Sequence, residues 1–115
     1  MTETDVTARI LRLVGLGIRS RGAVVGVKQV REAARRNTLQ LAVVASDASL
    51  NSRDKVVPLL QARRVNFIEV PSAAALGAAV GRDLTAVVGI IDRQLAAGVR
   101  KLANASAFRT GQEDV

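Results

Sequence analysis

The sequence predicts an α/β fold in which a single sheet carries helices on both of its faces. Three apolar segments of strand length, residues 39–45, 66–70 and 86–91, alternate with stretches of helical periodicity. The first of them stops abruptly at Ser46-Asp47, as expected of a buried strand that ends in a polar loop. Because open α/β sheets place binding sites beyond the ends of such strands, we expect a binding site at this edge.

Helical periodicity recurs in five stretches around these strands. The first helix is expected to end within the glycine-containing segment 15–17. Pro58 lies inside the third helical stretch, so that helix is expected to start late or to bend. Apolar positions and caps mark four of the helices: Val6, Ile10, Leu13 and Val14; Ser49 to Ser52 before Val56, Leu59 and Leu60; Ser72 before Leu76 and Val80, with Gly81 as the stop; and Asp92 before Leu95, Val99 and Leu102.

The remaining helix follows a short predicted edge strand, residues 23–25, and a turn at Gly26. Side chains three and four residues apart share one stripe of a helix. The spacing here yields one apolar, one basic and one mixed polar stripe, so about two thirds of the circumference faces water or a partner. The stripes are Val27, Val30 and Ala34; Lys28, Arg31 and Arg35; and Gln29, Glu32 and Arg36.

Positive charge is concentrated in the first third of the chain. The net charge is +7, with 14 Arg and 3 Lys, and residues 19–36 hold six cations against the single acid Glu32. Such a cluster suits the phosphates of a nucleic acid, although an ordinary solvated helix face would also produce it. Since Phe67 and Phe108 are the only aromatic residues, recognition of RNA would depend on backbone, shape and polar base edges rather than on stacking.

The composition argues against catalysis. The chain has no Cys and no His, so it lacks thiolate chemistry, the usual general base near neutral pH and the commonest transition-metal ligand. Its serines have no base to activate them, and we expect no metal and no cofactor. Four aspartates lie in loops or at predicted helix starts, where carboxylates stabilise free N–H groups; they are Asp47, Asp54, Asp83 and Asp92.

The length of 115 residues fits one domain. We expect it to span residues 1–103 and to be followed by a flexible tail, residues 104–115. The longest apolar runs are far shorter than the roughly 20 residues of a membrane span, and the acidic N-terminus is unlike a signal peptide. We therefore expect a cytoplasmic protein with no membrane partner.

Several local motifs occur in a familiar order. Gly26 opens the second helix, residues 41–49 read LAVVASDAS, residues 57–60 read VPLL, residues 65–70 read VNFIEV, and Ser72 precedes LGAAVG at residues 76–81. In this order they resemble the kink-turn-binding ribosomal-protein superfamily of the archaeal L7Ae and eukaryotic L30e type, including its bacterial YlxQ-like branch. The resemblance extends from Leu13 to Gly98.

The resemblance implies a three-layer α/β/α sandwich with a mixed four-stranded sheet. It also implies a non-catalytic RNA-binding protein of ribosomal or translation-linked type, which binds structured RNA through the start of the second helix and the loop before the last strand. We expect a monomer that works in a ribonucleoprotein, with ribosomal, transcription or translation proteins as further partners. The candidate RNA-binding residues are Gly26, Lys28, Gln29, Arg31, Glu32, Arg35, Arg36, Arg82, Leu84 and Thr85.

The chain departs from the family pattern at three of these positions. Where the family has Asn, Glu and Lys, this sequence has Lys28, Gln29 and Glu32, whereas the family's Arg is retained as Arg36. The family's Asn and Glu read base edges in the sheared G·A pairs of a kinked RNA. Lys28 and Gln29 can still bond to bases, but the charge of Glu32 opposes contact with the backbone. Specificity for kink-turns therefore does not follow from the resemblance.

Two other functions remain open at this point. The scaffold could have lost its RNA contacts and serve as a protein-docking module, an alternative that the charge reversal at Glu32 favours. It could also be a substrate-recognition domain related to those fused to RNA-modifying enzymes, but 115 residues leave no room for the catalytic domain.

Overall fold

The computed structural model describes residues 2–105, which form five helices and four strands. The predicted tail, residues 104–115, lies outside the described residues except for its first two positions, which belong to the last helix. The elements are α1 (Glu3–Arg19), β1 (Ala23–Val25), α2 (Val27–Arg35), β2 (Leu41–Ala45), α3 (Leu50–Ala62), β3 (Phe67–Val70), α4 (Ala73–Ala79), β4 (Val87–Ile90) and α5 (Arg93–Ala105).

The four strands form one mixed sheet in the order β1-β4-β2-β3. β2 and β3 are parallel, while β4 lies between β1 and β2 and runs antiparallel to both. The predicted strands are confirmed: β1 has the predicted bounds, and β2, β3 and β4 are each one or two residues shorter than the apolar segment that predicted them.

Helices cover both faces of this sheet. All five residues of β2 are buried, because alternate side chains enter two separate cores. Leu41, Val43 and Ala45 pack into the core beneath α1, α4 and α5. Ala42 and Val44 pack into the core beneath α2 and α3. This arrangement confirms the three-layer α/β/α sandwich.

The first helix does not end at its glycines, and that expectation was wrong. α1 continues through Gly15 and Gly17 as far as Arg19. A Cβ on Gly15 would lie 2.9 Å from the carbonyl oxygen of Ala79, and one on Gly17 would lie 2.4 Å from a methyl group of Leu95. The glycines therefore permit close packing of α1 against α4 and α5 instead of stopping the helix.

Pro58 does not delay the start of α3. Ser49 caps the helix by accepting a hydrogen bond from the Ser52 N–H, and the helix runs from Leu50 through Pro58 to Ala62. Val56 and Leu60 are buried on either side of the proline, so both halves are held against the same core. Pro58 itself is exposed, which keeps its ring out of the packed interface.

Caps predicted at two other helices are confirmed. The Ser72 hydroxyl accepts a hydrogen bond from the Ala75 N–H at 3.0 Å, and an Asp92 carboxylate oxygen accepts one from the Leu95 N–H at 3.0 Å. Gly81 has φ +73° just beyond α4, where glycine is favoured. No helix in the described part of the chain is long and apolar enough to cross a bilayer.

Replacing Gly15 by Ala should destabilise the protein. The added Cβ would meet the backbone of Ala79, so α1 and α4 would have to separate. Overpacking costs typically about 1–3 kcal/mol, and the better helix propensity of Ala returns about 1 kcal/mol. We expect urea unfolding to show a net loss of up to about 2 kcal/mol.

Gly98→Ala is the matched control. Its Cβ would lie 3.5 Å from a Leu13 methyl group, an ordinary contact. This variant should therefore keep or gain stability. Equal unfolding midpoints for Gly15→Ala and Gly98→Ala would contradict the close packing of α1 on α4.

Candidate nucleic-acid interface

The first component of the candidate interface is the start of α2. Gly26 precedes the helix with φ +95°, a left-handed conformation that disfavours side-chain-bearing residues. No side chain among residues 2–105 caps the helix. Its first-turn N–H groups and the positive end of its dipole are therefore available to an anion.

The second component is the loop of residues 81–86. The Arg82 N–H donates to the Gly77 carbonyl at 2.8 Å, and the Thr85 N–H donates to the Ala73 carbonyl at 3.0 Å, so α4 holds both ends. A Cβ on Gly77 would lie only 1.4 Å from the Asp83 carbonyl oxygen. Only glycine at position 77 lets the loop lie this close to α4.

The side chains of this loop divide between solvent and core. Leu84 is 77% exposed, so its apolar side chain is available to a partner. Arg82 is also exposed. Thr85, by contrast, is only 4% exposed, so in this conformation its side chain lies inside the protein and its N–H serves to anchor the loop.

Strand β4 brings the two components together. The Gly26 N–H donates to the Val87 carbonyl at 3.0 Å, and the Ala45 N–H donates to the Ala86 carbonyl at 2.8 Å. The start of β4 is therefore bonded on one side to the residue before α2 and on the other to the end of β2. Lys28 and Gln29, both exposed, consequently lie at the same edge of the sheet as the loop.

The polar turn after β2 is occupied with structural bonds. A carboxylate oxygen of Asp47 accepts a hydrogen bond from the Ala73 N–H at 2.7 Å, and the Ser46 hydroxyl donates to the Val70 carbonyl at 3.0 Å. These bonds tie β2 to β3 and to α4. The turn thus shapes the edge at which we expected a site, while Lys28, Gln29, Arg82 and Leu84 supply its exposed groups.

An arginine reinforces the same edge from α3. Arg53 pairs with Glu69 at 3.0 Å and donates to the Ala45 carbonyl at 3.2 Å. Only about a quarter of each paired side chain is exposed, 24% for Arg53 and 27% for Glu69. The charge of Arg53 is therefore neutralised by Glu69 within the fold.

The other cations of α2 are partly engaged. The Arg31 guanidinium donates to the Lys55 carbonyl of α3. Arg36 pairs with Glu32 at 2.7 Å, and their side chains are 72% and 46% exposed. Since an exposed pair of this kind contributes only about 0.2–1 kcal/mol, Arg36 can exchange Glu32 for another anion at small cost.

A second group of arginines lies at the far end of α2. Arg63 donates to the Arg35 carbonyl at 3.5 Å and to the Asn37 side-chain oxygen at 3.4 Å. Arg64 follows in a turn with φ +56°. Arg63 and Arg64 are not among the residues predicted to bind RNA, although two adjacent arginines after the third helical stretch are visible in the sequence.

The six clustered cations of residues 19–36 do not form one patch. Lys28 and Arg35 are separated by seven residues of helix, a rise of about 10 Å. Arg19 belongs to α1 in the opposite layer. Arg21 lies before β1, so the length of that strand separates it in the chain from the start of α2. Of the six cations, Lys28 lies in the first turn of α2, beside the two components of the candidate interface.

The described residues offer no metal site. Between residues 2 and 105, no group of three or more His, Cys, Asp or Glu side chains could hold an ion. The edge formed by Gly26, Lys28, Gln29 and the 81–86 loop offers hydrogen-bonding groups, positive charge and one exposed apolar side chain.

Comparison with known proteins gives the family. Residues 8–99 match the model of the ribosomal protein L7Ae/L30e/S12e/Gadd45 family, and the chain belongs to this family. It is similar to the RNA-binding protein YlxQ of Bacillus subtilis (strain 168), with 32% identity over 84 residues that cover 73% of this chain and 84% of that protein. The predicted superfamily and its YlxQ-like branch are confirmed.

Solved structures share the fold. A protein of unknown function from Bacillus halodurans C superposes with a TM-score of 0.77 at 26% identity, covering 84% of this chain and 98% of that one. The Giardia lamblia 15.5kD RNA binding protein superposes with a TM-score of 0.74 at 20% identity, covering 93% and 91% of the two chains.

Proposed function

We propose that this chain is a non-catalytic RNA-binding protein of ribosomal or translation-linked type. It binds structured RNA through the start of α2 and the 81–86 loop. The observation that carries the proposal is the pair of hydrogen bonds from Gly26 and Ala45 to the start of β4, which puts both components at one edge. Membership of a ribosomal-protein family and similarity to a protein named as RNA-binding support it.

Each exposed group has a distinct role in this proposal. Lys28 and the uncapped N–H groups of α2 bind phosphate. Gln29 offers both a donor and an acceptor to a base edge. Leu84 provides an apolar surface for a base splayed out of its stack, and Arg82 binds the adjacent backbone. Thr85 contributes through its backbone anchor, because its side chain is buried.

The remaining cations of α2 extend the positive surface away from this edge. Arg31, Arg35 and Arg36 continue along the helix, and Arg63 and Arg64 adjoin its far end. They would attract a polyanion at longer range and contact a stem that runs along α2. The protein acts as a cytoplasmic monomer in this proposal, and the absence of Cys and His from the sequence supports a role without catalysis.

Removing a cation from the edge should weaken RNA binding. We expect Lys28→Ala and Arg82→Ala each to reduce affinity for a structured RNA stem by about 1 kcal/mol, and to lower the salt slope by about one unit, because each removes one phosphate contact. Fluorescence anisotropy at several salt concentrations measures both quantities.

Arg93→Ala supplies the matched control, since Arg93 is exposed at the start of α5 in the opposite layer. It should leave affinity unchanged. Binding that is insensitive to salt, or equally weakened by all three variants, would contradict the proposed interface.

Replacing Glu32 tests whether α2 itself faces the RNA. Glu32→Gln removes a repulsive charge and releases Arg36, and Glu32→Lys also restores the cation implied by the family pattern. Affinity should rise in the order Glu, Gln, Lys, by about three- to tenfold in total, or about 1 kcal/mol. A kinked stem with tandem G·A pairs should gain more than a matched straight stem. Equal affinity for the three proteins would show that the RNA does not approach this face.

A protein-docking function is the second candidate, and the ion pair between Glu32 and Arg36 favours it because it neutralises part of the α2 surface. Leu50 and Leu84, which are 78% and 77% exposed, would then contact a protein. Purification in high salt, followed by nuclease treatment and absorbance at 260 nm, separates the two functions. A protein partner retained without nucleic acid would favour docking.

A further inference from the structure

The helix α1 has a second, unpartnered stripe beside its buried one. Its core-facing residues Val6, Ile10 and Val14 are completely buried. Ala8, Leu11, Arg12, Gly15, Leu16 and Arg19, three and four residues apart, instead line an open groove between α1 and α4.

The groove is long, shallow and mostly apolar. Its main part has a volume of about 610 Å³ and is bounded on the α4 side by Ala75, Ala78 and Ala79. A neighbouring recess of about 430 Å³, lined by Thr4, Thr7 and Pro71 among others, continues it toward the start of α1. From residue 4 to residue 19 a helix rises about 22 Å, enough for about four turns of a second helix to lie alongside.

The rim of this groove is positively charged. Arg12 and Arg19 line it, and Arg9 is exposed on the same helix. Among the side chains that the structure describes, which do not include that of Glu3, the ion pairs are Arg36–Glu32 and Arg53–Glu69, and neither involves these three arginines. The sequence of α4, AAALGAA, contributes no opposing charge.

We propose that the α1–α4 groove binds an acidic amphipathic helix of a partner protein. Helices bind grooves through apolar residues at i, i+3, i+4 and i+7, and Leu16, which is 50% exposed, is the natural contact for one of them. Arg12 and Arg19 are one heptad apart, a rise of about 10 Å. They match two carboxylates spaced seven residues apart on the partner.

The chemistry of the groove favours a helix over a nucleic acid. An apolar floor of alanine and leucine gains little from a phosphate backbone, whereas it is stabilised by burial against leucine side chains. The groove uses none of the residues assigned to the RNA interface. The protein could therefore hold RNA and a protein helix at the same time.

A designed peptide tests this inference. The probe is a helical peptide of about 18 residues, or five turns, with Leu at i, i+3, i+4 and i+7 and Glu on the flanks; a matched peptide has Lys in place of every Glu. With the full chain, the Glu peptide should bind at least about tenfold more tightly than the Lys peptide. Amide NMR shifts should map to residues 4–19 and 73–79.

Variants locate the binding surface. Leu16→Glu and the double variant Arg12→Glu, Arg19→Glu should each weaken binding of the Glu peptide at least about tenfold. Lys55→Glu is the control, because Lys55 is exposed on α3 in the opposite layer; it should not change the affinity. Circular dichroism confirms that each variant is folded.

Four results would overturn the inference. They are no binding of either peptide at millimolar concentration, equal binding of both peptides, insensitivity to the groove variants, and shifts that map elsewhere. Two other occupants are also checked. If the wild-type chain self-associates in sedimentation and the Leu16→Glu variant does not, the groove would be assigned to a second copy of the chain. The amide shifts of the groove are also compared between the free wild-type chain and the free Glu113→Lys, Asp114→Lys double variant, with no peptide present. A difference between the two would assign the groove to the chain's own acidic end.

Discussion

The position of β4 in the sheet determines where this protein can bind a ligand. β4 runs antiparallel to both of its neighbours, so its first residues lie beside the last residues of β1 and β2. Val88 pairs with Val25, and Val87 pairs with Val44. The loop that precedes β4 must therefore lie at the edge of the sheet where β1 and β2 both end, and α2 begins at the same edge. A different strand order would separate the 81–86 loop from Lys28 and Gln29, and the candidate interface would not exist.

Polar groups at this edge fall into two classes. Those of Ser46, Asp47 and Arg53 form hydrogen bonds or ion pairs that join β2, β3, α3 and α4. Of the three, Arg53 is half-buried, where an unpaired charge would be costly, and it is paired with both the Glu69 carboxylate and the Ala45 carbonyl. Within the described part of the chain, the side chains of Lys28 and Gln29 form no such bonds and are exposed. One set of residues therefore holds the edge together, and a different set is exposed there for binding.

Sequence periodicity predicted the helices, the strands and the three layers because these depend on which side chains alternate between core and solvent. It failed where tertiary packing decided the outcome. Gly15 and Gly17 were expected to end α1, since glycine weakens a helix in isolation, but close packing against α4 and α5 requires them. Pro58 is accommodated because buried residues on both sides hold α3 in place.

The candidate interface was only partly predictable for a related reason. Gly26, Lys28 and Gln29 were identified from a motif at one place in the chain, and the structure adds which loop lies beside them. The bond from Thr85 to Ala73 and the bond from Ala73 to Asp47 join residues that are far apart in the chain, 26 positions in the second case, which a sequence pattern does not reveal. The same holds for Arg63, which reaches the end of α2 from α3.

The central claim is that the start of α2 and the 81–86 loop act as one RNA-binding surface. Amide chemical shifts recorded while a structured RNA stem is added to the full chain test it most directly. The account predicts that residues 26–29 and 81–86 shift together with a single apparent affinity. Shifts confined to the far end of α2 and residues 63–64, with the 81–86 loop unaffected, would contradict it.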